Sequence, residues 1–121
     1  MTDPDQLDKK FQKEITSGIA SLALLKVMER SDEPMYGYQV AKLVGPDDGR
    51  EPILKQGALY PVLRSLEKSG LLTSSVEPSV SGPPRRYYTI TGDGRTTLLR
   101  WVSIWQDAKT FVDHILEGEL L

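Results

Sequence analysis

Arginine grips phosphate better than any other side chain, because its planar guanidinium presents a fork of N–H donors to oxygen pairs. Residues 85 and 86 are both arginine, and Tyr87 and Tyr88 follow directly. The proline-rich stretch 78–84 precedes them, so the pair falls at the base of a turn, where it reads either as a phosphate and minor-groove contact or as a solvated charged turn. A second group, Lys55, Gln56, Ala58, Tyr60, Pro61 and Arg64, lies within ten residues. In a DNA major groove glutamine can read adenine, arginine can read guanine, and an alanine methyl can touch thymine. Tyr60 has the alternative of packing over a neighbouring helix. Tyr36 is positioned to offer its hydroxyl to a backbone phosphate, with Lys42 as a further cation, while Tyr38 reads as core. Trp101 and Trp105 are one helical turn apart and share a face. They suit either the packing of two subunits or a stacking platform for a flat aromatic ligand.

Catalytic chemistry has little to stand on. There is no cysteine and one histidine, His114, which removes disulfides, thiolate zinc sites and cysteine nucleophiles, and no metal or cofactor is expected. Neither a Ser-His-acid set nor a phosphate-binding glycine loop occurs; Gly92-Asp-Gly94 reads as the turn into the last helix. No apolar run approaches the roughly 20 residues that span a bilayer. The opening Met1-Thr-Asp-Pro-Asp5 is acidic where a secretory leader would be basic, so a cytoplasmic protein with no membrane partner is expected.

The net charge is −2 over 121 residues, which by itself argues against nucleic acid. Its distribution argues the other way. Between positions 55 and 88 stand Lys55, Arg64, Lys68, Arg85 and Arg86 against Glu67 and Glu77, whereas Asp107, Asp113, Glu117 and Glu119 beyond position 103 face only Lys109. The middle of the chain is basic and its tail acidic.

The elements that must carry these groups follow from apolar spacing. Residues 1–10 are polar, contain Pro4 and should form a flexible N-terminal arm. Ile15, Ile19, Leu22, Ala23 and Val27 recur at helical steps and predict a helix over 11–30, ended by Ser31-Asp-Glu-Pro34. A second helix is expected over 37–44 with Val40, Leu43 and Val44 inward, and a loop over 47–52. A third helix over 57–69 turns Leu59, Leu63 and Leu66 to the core, with Pro61 expected in or near its first turn, where a missing amide costs least. Segments 71–77 and 86–90 have strand character and predict a hairpin with a long tip. Thr91 is placed to cap a last helix over 93–116. The fold class is therefore mainly α with a small β-hairpin: a winged helix-turn-helix over 11–91, then a long C-terminal dimerisation helix over 92–121.

Four motifs in this order, Met35-Tyr-Gly-Tyr-Gln-Val40, Gly57-Ala-Leu-Tyr-Pro-Val-Leu-Arg-Ser-Leu-Glu67 with Gly70-Leu71, Gly82-Pro-Pro-Arg-Arg-Tyr-Tyr88 and Thr91-Gly-Asp-Gly-Arg95, resemble the PadR-like transcriptional regulators. The resemblance runs over 15–116, and departs from the family at Gly92, where an acidic residue is more usual. It implies a homodimer held by the C-terminal helix against the partner's first helix, with Ile19, Leu98, Val102, Trp105, Val112 and Ile115 at the contact. It further implies binding to a two-fold double-stranded DNA operator. The single C-terminal helix is similar to the short subgroup, some members of which bind flat aromatic compounds between subunits near a tryptophan that Trp105 matches. A repressor released by a small aromatic effector is the expected function; a winged helix used only for protein contacts, without DNA binding, is the alternative.

Overall fold

A computed structural model describes residues 3–45 and 54–118, apart from the side chain of Gln56. The expected loop over 47–52 and the acidic Glu119 lie outside the described residues. The order is α1 (Pro4–Arg30), β1 (Met35–Tyr36), α2 (Gly37–Val44), α3 (Gln56–Lys68), β2 (Leu72–Glu77), β3 (Arg85–Ile90) and α4 (Gly92–Leu116). The three strands form one antiparallel sheet in the order β1-β3-β2. The third strand, β1, adds to the expected hairpin: Met35 pairs with Tyr88 and Tyr36 with Tyr87.

Helix α1 begins at Pro4, well before position 11, the expected start of the first helix. Pro4 occupies the first helical turn, where its fixed φ suits the helix and its missing donor is not needed, and the Asp3 side chain accepts from the Asp5 amide at 3.2 Å. These first turns add nothing to the core, since residues 3–15 are all exposed. The buried face of α1 is Ala20, Leu24, Leu25 and Met28, not the row through Ile15 and Ile19; Ile15 is exposed and Ile19 half-buried. Both rows have helical spacing, and only the position of the other elements selects between them.

The core joins this face to Val40 of α2, Leu59, Leu63 and Leu66 of α3, Leu72, Tyr88 and Ile90 of the sheet, and Leu98 of α4. Each fully buried leucine contributes roughly 1.5–3 kcal/mol relative to exposure. Two inward assignments on α2 change: Leu43 is exposed and Val44 half-buried.

Pro61 sits in the second turn of α3, not the first. Its missing amide leaves the carbonyl of Gly57 without a helical donor, and because Gly57 is exposed, water can supply one. The helix ends in a Schellman motif: Gly70, at φ +82, donates to Glu67 O and Leu71 donates to Leu66 O, both at 2.9 Å. Thr91 then ties the start of α4 to this corner. Its hydroxyl donates to Gly70 O at 2.8 Å and accepts from the Gly94 amide at 2.9 Å.

Candidate nucleic-acid interface

With Leu59, Leu63 and Leu66 inward, the face of α3 directed away from the core carries Gly57, Pro61, Arg64 and Lys68, all exposed. Among the described residues no acidic side chain forms an ion pair with Arg64 or Lys68. Lys68 follows Arg64 by one turn, a spacing from which it could have been picked for this face.

Tyr60 lies on the flank of α3 and serves α2. A Cβ on Gly37 would stand 2.4 Å from Tyr60 Cε1, so the ring packs directly on the bare backbone at the start of α2. The packing expected as the alternative for Tyr60 is therefore present, and the ring still retains 38% exposure. Ala58 falls on the opposite flank, beside Lys9, Lys13 and Lys55 in a groove against α1. That places it away from the outward face on which the base-reading expectation put it.

The two wing arginines part company. Successive strand residues point to opposite faces, and β3 pairs Val76 with Arg86 and Glu77 with Arg85. Arg86 shares a face with the buried Tyr88 and Ile90, and its guanidinium donates to Ser74 Oγ at 2.9 Å; Ser74 in turn donates to the carboxylate of Glu67 on α3. This bridge connects the wing to α3 and leaves the Arg86 charge partly balanced by Glu67. Arg85, on the other face, lies 4.5 Å from the ring centroid of Tyr36, a cation–π contact. Tyr36 also meets Tyr87 edge-on at 5.4 Å and stacks with Tyr38 at 6.5 Å. Lys42 stands 4.8 Å over the Tyr38 ring.

Tyr38 is thus exposed and part of a surface row, which corrects its reading as core. The edge strand β1 creates this row by bringing Tyr36 beside Tyr87. A two-residue strand has no sequence pattern of its own, so Tyr38 and Tyr87 escaped the site expectation. Tyr36 itself is the N-cap of α2, its amide held by Gln39 Oε1 at 3.1 Å. Burial raises the Tyr88 phenol above its ordinary 10.0, and the Glu67 carboxylate adds to the rise.

On the other side of the core, Trp101 and Trp105 line one groove of about 550 Å³ with Ile15, Ile19, Leu22 and Ile104, between α1 and α4. Trp105, Val112 and Ile115 are exposed, as are Leu7, Phe11 and Ile104. Leu98 is 4% exposed within the chain's own core, which removes it from the expected dimer contact. Val102 is half-buried against the same core. Among the described residues no cluster of three or more His, Asp or Glu side chains could hold a metal ion, and no helix is long and apolar enough to cross a membrane.

The model of the Transcriptional regulator PadR-like family matches residues 24–100. Among solved structures, a PadR-like transcription factor from Bacteroides fragilis is 26% identical, with a TM-score of 0.67 over 88% of this chain and 98% of that one. A PadR-like transcriptional regulator from Bacillus cereus is 27% identical, with a TM-score of 0.66 over 87% and 98%. A PadR family transcriptional regulator from Eggerthella lenta is 29% identical, with a TM-score of 0.63 over 90% and 97%. Among curated proteins none matches the sequence. A family match spanning most of the winged helix, on a fold whose third helix and wing both present cations, places this chain in the PadR-like family of transcriptional regulators, DNA-binding proteins rather than enzymes.

Proposed function

We propose that the protein is a homodimeric repressor that inserts α3 into the major groove of a two-fold operator, sets its wings on the flanking backbone, and releases DNA when an aromatic effector binds. The observation that carries this reading is the exposed set Arg64, Lys68 and Arg85, mounted on α3 and on a wing that the Glu67–Ser74–Arg86 bridge ties to it. Arg64 and Lys68 face the groove, Arg85 and Tyr36 meet phosphate, and Lys42 extends the same row. Gln56 opens α3 at the end that would enter first.

Assembly is supported by the apolar stripe formed by Leu7, Phe11 and Ile15 on α1 and Ile104, Trp105, Val112 and Ile115 on α4, which a monomer leaves in water. A second copy covers it in an isologous contact, the α4 of one protomer against the α1 of the other. The Trp101–Trp105 groove falls in the 300–1,000 Å³ range of small-molecule sites and has an apolar, aromatic lining. An effector held there binds better to a dimer whose α3 helices are wrongly spaced, and that differential affinity supplies the release.

The test is a titration of labelled duplex from the region upstream of the protein's own coding sequence, at several salt concentrations, with the native chain and with Arg64→Ala/Arg85→Ala. For each phosphate no longer neutralised, the slope of log affinity against log salt falls by about 0.9. Binding that weakens with salt and with the double substitution supports the reading. Affinity no higher than for random duplex, on this region and on genome-wide fragments alike, replaces it with the protein-interaction module. Tryptophan fluorescence against planar aromatics tests the effector: no quenching across the panel removes that part.

A further inference from the structure

The N-terminal half of α1 runs past the core, and its two sides differ. Leu7, Phe11 and Ile15 follow one another at four-residue steps on one side, the stripe assigned above to a second subunit. Lys9 and Lys13, also four residues apart, lie about 200° of helix turn away from Leu7 and Phe11 respectively, and overhang the start of α3. There they line a groove of about 640 Å³ with Gln12, Thr16, Lys55 and Ala58, over a floor that includes Ala20 and Leu54. No acidic side chain lines this groove among the described residues. Of the acids along this stretch, Glu14 lines the tryptophan groove, while Asp3, Asp5 and Asp8 precede Lys9 and do not line the lysine groove.

Three ammonium groups with the Gln12 side-chain amide between them, and no carboxylate on the groove among the described residues, form a donor set of the composition that meets sugar–phosphate rather than base edges. Its place decides which anion it meets. The groove is bounded by the first residues of α3, the end of the recognition helix that leads into DNA. A backbone phosphate beside that end of α3 would face these lysines.

We propose that the overhanging turns of α1 are a second phosphate-binding element, in which Lys9 and Lys13, with Lys55, hold the DNA backbone on the flank of α3 opposite to Tyr60. The inference rests on the reading that α3 enters DNA. It gives α1 two duties on two sides: subunit contact through Leu7, Phe11 and Ile15, and backbone contact through its lysines.

The experiment compares the native protein, Lys9→Gln/Lys13→Gln and Arg64→Ala/Arg85→Ala on an operator duplex and on random duplex across a salt series, with sedimentation velocity on each. Removing two lysine–phosphate pairs from each protomer reduces the salt slope of the dimer by about 3 to 4 and weakens binding by about tenfold or more at 0.1 M salt. Because phosphate contacts carry no sequence information, the lysine variant loses the same factor on both duplexes and keeps the operator-to-random ratio. An unchanged slope for the lysine variant, beside a reduced one for the arginine variant, overturns this inference and leaves the regulator reading standing. Native protein that binds neither duplex overturns both. A lysine variant that sediments as a monomer also overturns the inference, because the lysines then serve the subunit contact.

Discussion

Replacing Gly94 by alanine should destabilise the protein, although helix propensity alone argues the reverse. Gly94 is the third residue of α4, and in a helix interior alanine is favoured over glycine by about 1 kcal/mol. The tertiary contact opposes this. A Cβ at position 94 would stand 2.2 Å from Leu71 O and 2.7 Å from Ile90 Cγ1. An ordinary carbon–oxygen contact is 3.3–3.6 Å, so the helix start must retreat by about 1 Å from a backbone carbonyl that cannot turn aside. That carbonyl also accepts the Thr91 amide at 3.1 Å, and Thr91 holds Gly70 O and the Gly94 amide, so the retreat strains this whole corner. Overpacking costs about 1–3 kcal/mol, and weakening one or two of these hydrogen bonds adds about 1 kcal/mol. Set against the propensity gain, the net loss is about 2 kcal/mol, read as a fall of roughly 5–10 °C in Tm. Chemical and thermal denaturation at a fixed protomer concentration measure it, since dimer stability depends on concentration. A variant as stable as the native protein, or more so, would refute the close approach of α4 to Leu71.

Gly37→Ala meets a softer obstacle, the Tyr60 ring at 2.4 Å, which can swing toward solvent; stability should fall by only about 1 kcal/mol, while a DNA titration should show several-fold weaker binding as α3 loses its register on α2. Ser74→Ala removes the hydroxyl between Arg86 and the half-buried Glu67 and should cost about 1–2 kcal/mol in urea denaturation; no change would show that the bridge does not hold the wing. Tyr88→Phe tests the raised phenol. In the unfolded chain the phenol ionises near 10 and in the folded protein only above that, so its contribution is fully present below pH 10 and is lost as pH rises through the folded value. The native protein should therefore lose more stability than the phenylalanine variant between pH 9 and about 11, and parallel losses would remove the group as the cause.

Local signals carried the element order. Leucines at 59, 63 and 66, Thr91 ahead of Gly92-Asp-Gly94, and prolines between two β-rich segments each act within a few residues, so their physics is already complete in the sequence. The cations of α3 and the wing could be found the same way, because helical and strand periodicities say which residues share a face. Other features needed the third dimension. Pro4 stops a helix or starts one, and which it does depends on whether the following turns continue; here Asp3 caps them. The apolar row through Ile15 and the row through Leu24 have equal spacing, and only the packing of α2, α3 and the sheet buries the second. The two-residue strand β1 exists only because β3 offers an edge, and with it come the Tyr36–Arg85 stack and the exposure of Tyr38. Leu98 has the spacing of an interface residue, and the core of its own chain, where α4 packs on α1, takes it instead. In each case the sequence determines what a segment can form by itself, while the choice among equally spaced faces belongs to contacts between residues far apart in the chain, whose free energy exists only once the fold has closed.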